Sequence, residues 1–230
     1  MLHRLIALVA LLSAALSPAA HAADLTPLET RWLRGIWPVV THAREALALP
    51  LDIVVQPQDT PGAAPLALAF IDGRCKLVLS MRGNPEGQRQ IDALEPALRE
   101  ATLELMAAHE LGHCRRYLDG AWTTVPAGFV AAKTPAGLSP DLQQAWQDMR
   151  STRREEGYGD LVGLAWARGR HPALYARLHA WLVAERSAER VPGSHHDTLD
   201  WLALAREPQA LDGAGLFEAA ATVWRRGLTD

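Results

Sequence analysis

The feature that most limits how this chain can fold is His109-Glu110-Leu111-Gly112-His113, set inside an apolar stretch with helical spacing over residues 91–118. On an α-helix, positions four apart differ by only about 40° in direction, so His109 and His113 project side by side from one face. Two imidazole nitrogens placed this way can bind one Zn²⁺ at about 2.0–2.1 Å. Another element must then pack against that face and complete the site. Glu110 points into an adjacent sector, too far round for a third ligand and well placed to take a proton from a metal-bound water. In isolation the pattern also fits a solvated helix face carrying two histidines. The apolar surroundings, and Gly112 leaving room beside the site, weigh against that.

A second helix, expected over residues 141–168, offers the missing ligand. Arg153-Arg154-Glu155-Glu156-Gly157-Tyr158-Gly159-Asp160 puts Glu156 and Asp160 four residues apart on one face. Glu156 can bind the metal. Asp160 can accept the free ring N–H of a ligating histidine, which fixes its tautomer and orientation. Read alone, residues 153–156 are a charged solvent face. Gly157 and Gly159 argue otherwise, since a mid-helix glycine costs about 1 kcal/mol relative to alanine. Close approach to the metal helix would explain both.

Composition narrows the class. The 230 residues are 49% hydrophobic and 21% charged, which suits one domain that needs no dense disulfide framework. A net charge of −3 gives no reason to bind nucleic acid or an anionic membrane surface. Two cysteines exclude any four-cysteine zinc or iron–sulfur site. Residues 1–22 read as a cleaved secretory signal. A basic start at Arg4 precedes an apolar run over 5–16, a Ser17-Pro18 break and the small-x-small end Ala20-His21-Ala22. That run is shorter than the roughly 20 residues a membrane span needs, and nothing later is apolar for long enough. Residues 23–230 are therefore expected to be a single exported domain, periplasmic or secreted.

Elements follow from spacing. Thr26 caps and Pro27 opens a first helix with Leu28, Trp32, Leu33, Ile36 and Val40 on one side, bent or interrupted at Pro38. Apolar runs at 51–55, 66–71 and 77–81 read as a small, mostly antiparallel sheet, with Asp72-Gly73-Arg74 as a hairpin turn. The 91–118 segment is one long helix or a helix broken once near Pro96. Residues 119–139 form a loop, and helices follow over 141–168, 172–190, 198–206 and 215–226. The fold class is α+β: an N-terminal helix and small sheet, then a helical half carrying the metal helix.

Strand alternation puts Cys75 on the face of Leu77, Leu79 and Met81, while helical geometry puts Cys114 with Leu103, Ala107 and Leu118. Both point into the interface between sheet and metal helix. An oxidising compartment favours their pairing, the alternative being two separate buried thiols.

These motifs resemble the gluzincin class of zinc metallopeptidases, in which an HExxH helix is followed on a second helix by a Glu ligand and an Asp four residues later. The layout resembles that class over residues 53–198 and is similar to its short exported M48-type members. The resemblance implies a zincin-like fold, one Zn²⁺ held by His109, His113 and Glu156, Glu110 as general base and Asp160 bonded to His109. It also implies a peptide or protein substrate aligned on an edge strand. Gluzincins often place a histidine after the Glu helix to stabilise the oxyanion. His196, just before the Asp197-Thr198 cap expected to hold its loop, takes the comparable place, and His195 competes with it. The chain differs in having glycine at 159, where alanine is usual, and in lacking membrane spans. No third histidine follows His113 at the metzincin spacing. Two alternatives to peptide hydrolysis stay open: a non-catalytic exported zinc- or client-binding protein, and a zinc amidase acting on cell-wall material.

Overall fold

The computed structural model describes residues 24–229 apart from 59, 61 and 189, so the expected signal sequence over 1–22 lies outside the described residues. The first helix, α1 (Pro27–Glu45), starts on a capping box. The Thr26 hydroxyl accepts from the Glu29 backbone N–H at 3.1 Å, and the Glu29 carboxylate accepts from the Thr26 N–H at 2.7 Å. Pro38 does not interrupt it; the helix runs on through that position. Of the stripe read from spacing, Trp32, Ile36 and Val40 are buried, joined by Val39 and Ala43, while Leu28 and Leu33 are only partly buried against the core.

Three strands follow, β1 (Leu51–Pro57), β2 (Leu66–Ile71) and β3 (Arg74–Arg82), in the order β1-β3-β2. β2 and β3 form the expected antiparallel hairpin. Asp72 and Gly73 both take positive φ, 53° and 72°, as a turn that matches strand twist requires. β1 pairs with β3 in parallel, so the sheet is mixed rather than mostly antiparallel. The tight turn commits β2 to one edge of β3. The longer 58–65 connection carries the chain across the sheet, which leaves β1 on the other edge.

The helical half begins with α2 (Glu86–Ala93) and α3 (Arg99–Leu118), so the 91–118 segment is broken once, around Pro96. Beyond the 119–139 loop come α4 (Pro140–Arg170), α5 (Tyr175–Ser187), α6 (Leu199–Leu204) and α7 (Leu216–Trp224), with 3₁₀ turns at Pro172–Leu174 and Pro208–Leu211. The architecture is α+β. Among the described residues no helix is long and apolar enough to cross a membrane.

Helix α3 lies between two apolar clusters. Leu103, Ala107, Leu111 and Cys114 face α1 and the sheet, while Ala101 and Leu105 face the cluster built with α4 to α7. Cys75 of β3 and Cys114 of α3 are bonded, with their Cα atoms 5.6 Å apart, so the pairing reading holds over the two-thiol one. The link sits one residue from His113.

Candidate metal centre

The pairing of α3 with α4 brings the site together. Backbone-to-backbone contact at their crossing is close enough that a Cβ on Gly112 would stand 3.0 Å from the Gly159 Cα, and one on Gly163 would stand 2.9 Å from the Leu105 carbonyl oxygen. At Gly159 a Cβ would press on the His109 ring at 2.8–2.9 Å. The expectation of close helix approach therefore holds for Gly159. Gly157 has a different cause: its missing side chain makes way for the Trp201 ring of α6, which a Cβ would meet at 2.5 Å.

Across this contact His109, His113 and Glu156 converge. The two Nε2 atoms are 2.9 Å apart, and the Glu156 carboxylate oxygens lie 3.5 Å from Nε2 of His109 and 3.4 Å from Nε2 of His113. Ligand atoms about 2.0–2.1 Å from a tetrahedral centre are roughly 3.3–3.4 Å from one another. In this triangle the two edges to Glu156 come near that spacing, each through a different carboxylate oxygen, while the edge between the imidazoles is shorter; the donors, two imidazoles and a carboxylate, suit Zn²⁺. Among the described residues it is the group of metal-ligating side chains that comes together in this way, and neither Glu110 nor Asp160 is part of it.

Around the triangle, Asp160 is the most heavily bonded group. It accepts from His109 Nδ1 at 2.9 Å, which leaves His109 Nε2 as the nitrogen facing the other ligands. It also accepts from the Thr198 hydroxyl at 2.5 Å, from Arg186 Nε at 2.9 Å and from Arg186 Nη2 at 2.6 Å. Burial would raise its pKa, but Arg186 and His109 hold the carboxylate well below its usual range. For Glu156 too, burial is outweighed, here by the two histidines, and its pKa lies well below the ordinary value. Burial disfavours charge on His109, yet its contacts with Asp160 and Glu156 prevail and push its pKa up to about 10. The carboxylates thus draw a cation to this spot, either a proton on His109 or a metal ion between the ligands. The Nδ1 of His113 has no hydrogen-bond partner among the described residues, and its ring tilts against Trp122 with centroids 5.3 Å apart.

The triangle opens into a cleft of about 760 Å³ lined by Leu66, Ala67 and Leu68 of β2 and by Trp181, Leu182 and Arg186 of α5. Glu110 lines it as well. Burial pushes the Glu110 pKa upward, the direction that suits a general base, while the neighbouring histidines pull the other way.

No family model matches the sequence, and neither curated proteins nor solved structures give a match.

Of the two loop histidines, His196 faces the cleft, with Nε2 3.8 Å from Glu156 Oε2, while His195 lies against it at 4.1 Å between ring centroids. Burial lowers the His196 pKa, favouring the neutral ring. The expected Asp197-Thr198 cap takes another form. Neither side chain caps α6; Asp197 accepts from the Gly193 N–H at 2.7 Å and from Arg190 Nε at 2.7 Å, and Thr198 ties the loop to Asp160. These bonds leave both side chains committed away from the α6 backbone.

The charged run over 153–156 is not a solvent face. Arg153, Arg154 and Glu155 are buried; Arg153 Nε donates to the Asp197 carbonyl at 2.6 Å, and Arg116 Nε to Glu155 at 2.7 Å. Arg186 is the site residue that spacing does not reveal. It stands in the charged end of α5, far in sequence from its partners, and reads there as a solvated side chain. The one signal for it is indirect: two carboxylates buried one helical turn apart call for a counter-charge.

Proposed function

We propose that the protein is an exported zinc metallopeptidase that hydrolyses peptide bonds with Glu110 as general base. The observation that carries the reading is the division of labour at the cleft. His109, His113 and Glu156 form a three-ligand set, and Glu110 sits beside it on the cleft wall without joining it. Such a base has no use in a purely structural metal site. The Cys75–Cys114 bond supports an oxidising compartment.

Bound Zn²⁺ would polarise the scissile carbonyl and bring the pKa of a water down to about 7. Glu110 takes a proton from the attacking water and delivers it to the leaving amine as the C–N bond breaks. The His196 N–H donates to the oxygen that gains negative charge. Among the described residues β2 pairs with β3 alone, so its outer edge is a place along the cleft where an extended peptide can add as a further strand.

The test is incubation of the purified protein with an unbiased peptide mixture, with and without a zinc chelator. Cleavage that disappears with the chelator and returns with added Zn²⁺ agrees with the proposal. Cleavage indifferent to the chelator, or none from zinc-loaded protein, contradicts it.

A further inference from the structure

Glu156 and Asp160 stand one helical turn apart on α4, and both need a fixed orientation. One guanidinium reaches both. Arg186 donates through Nε to Asp160 Oδ2 at 2.9 Å, and through Nη2 to Asp160 Oδ1 at 2.6 Å and to Glu156 Oε2 at 3.3 Å. Its side chain is only 15% exposed. It comes from α5, an element that supplies no ligand, and that helix is anchored through the buried Tyr175, Leu178 and Leu182.

Resting on the metal-centre reading above, we infer that Arg186 is a positioning residue for the metal ligands. Its fork does two things. On Asp160 it engages both oxygens, which holds Oδ1 against His109 Nδ1 and so keeps His109 Nε2 directed at the triangle. On Glu156 it occupies Oε2 and leaves Oε1, the oxygen nearer His113, clear of Arg186. A planar guanidinium spans two carboxylates at set angles; the point charge of a lysine does not. Arg186 therefore acts by shape as well as charge.

The experiment compares the wild-type chain with Arg186→Gln, Arg186→Lys and, on the same helix, Arg177→Gln, whose exposed side chain pairs with Glu95 away from the ligands. Three quantities are measured: Zn²⁺ affinity by chelator competition, the visible spectrum of the Co²⁺-loaded protein, and melting of the metal-free protein. Both Arg186 variants should bind Zn²⁺ about 10–100-fold more weakly, the range for removing a group that orients a ligand, and should show an altered Co²⁺ spectrum. Arg177→Gln should match wild type. Asp160→Asn guards against an Arg186→Gln that fails to fold, and should show the same two changes because it breaks the same fork. An Arg186 variant that melts lower yet keeps wild-type affinity and spectrum has lost only a structural contact, which overturns the inference. Wild-type affinity in Arg186→Lys overturns the role of shape. A wild-type chain that takes up neither metal ends the metal-centre reading itself, and this role with it.

Discussion

Gly159 and the His109 ring are in such close contact that a Cβ on the glycine would stand 2.8 Å from the ring's Cε1. The ring has no room to retreat, because its Nδ1 is bonded to Asp160 and its Nε2 faces His113 at 2.9 Å. Alanine at 159 gains about 1 kcal/mol in helix propensity, but overpacking costs typically 1–3 kcal/mol, so the clash prevails. Gly159→Ala should therefore weaken Zn²⁺ binding. Gly169, in the same helix with nothing within 4 Å of its added Cβ, is the control. Gly169→Ala should leave metal affinity unchanged and raise stability by up to about 1 kcal/mol. Calorimetric titration of both variants with Zn²⁺ checks the pair; equal affinities would mean that the ring does move.

The disulfide joins residues 39 apart in sequence and pins α3 beside His113 to β3. Closing a loop of that size restricts the unfolded chain by about 3–4 kcal/mol. Urea unfolding of Cys75→Ala/Cys114→Ala against the oxidised parent should show a loss of that order. An unchanged midpoint and slope would show that the bond does not stabilise the fold.

His196 and His195 separate a transition-state role from a neighbour's. His196→Ala should lower kcat by about 100- to 1000-fold, the cost of losing one donor to an oxyanion, with zinc content intact. His195→Ala should do little, since that ring touches His196 rather than the cleft. Steady-state kinetics with metal analysis distinguish them. A large loss only at His195 exchanges their roles, and loss of zinc in His196→Ala would make it a ligand.

What could be read from the chain depended on how local each cause is. The helical spacing of His109 and His113, and of Glu156 and Asp160, is set within single helices, so their shared faces are legible from sequence. So are the Thr26 cap of α1 and the Asp72-Gly73 turn, where backbone chemistry acts over a few residues. The position of β1 is not, because the edge of β3 it takes depends on how the 58–65 connection crosses the sheet. Arg186 is hidden for the same reason: its role comes from carboxylates 26 and 30 residues earlier, brought beside it only by packing of α5 on α4. Gly157 and Gly159 look alike in sequence, and only the fold tells the indole beside one from the imidazole beside the other.

Peptide hydrolysis by Glu110→Gln, measured at known zinc content, decides whether Glu110 is the general base of a zinc peptidase. The substitution keeps the shape of the side chain and removes its basicity, so the ligand set of His109, His113 and Glu156 is untouched while proton transfer is lost. One zinc per chain is expected in both proteins, with a rate in the variant lower by about the 10²–10⁴-fold that a positioned base contributes. Turnover near wild type in a fully zinc-loaded Glu110→Gln protein, or a wild-type chain that holds no zinc or holds iron instead, would contradict that role.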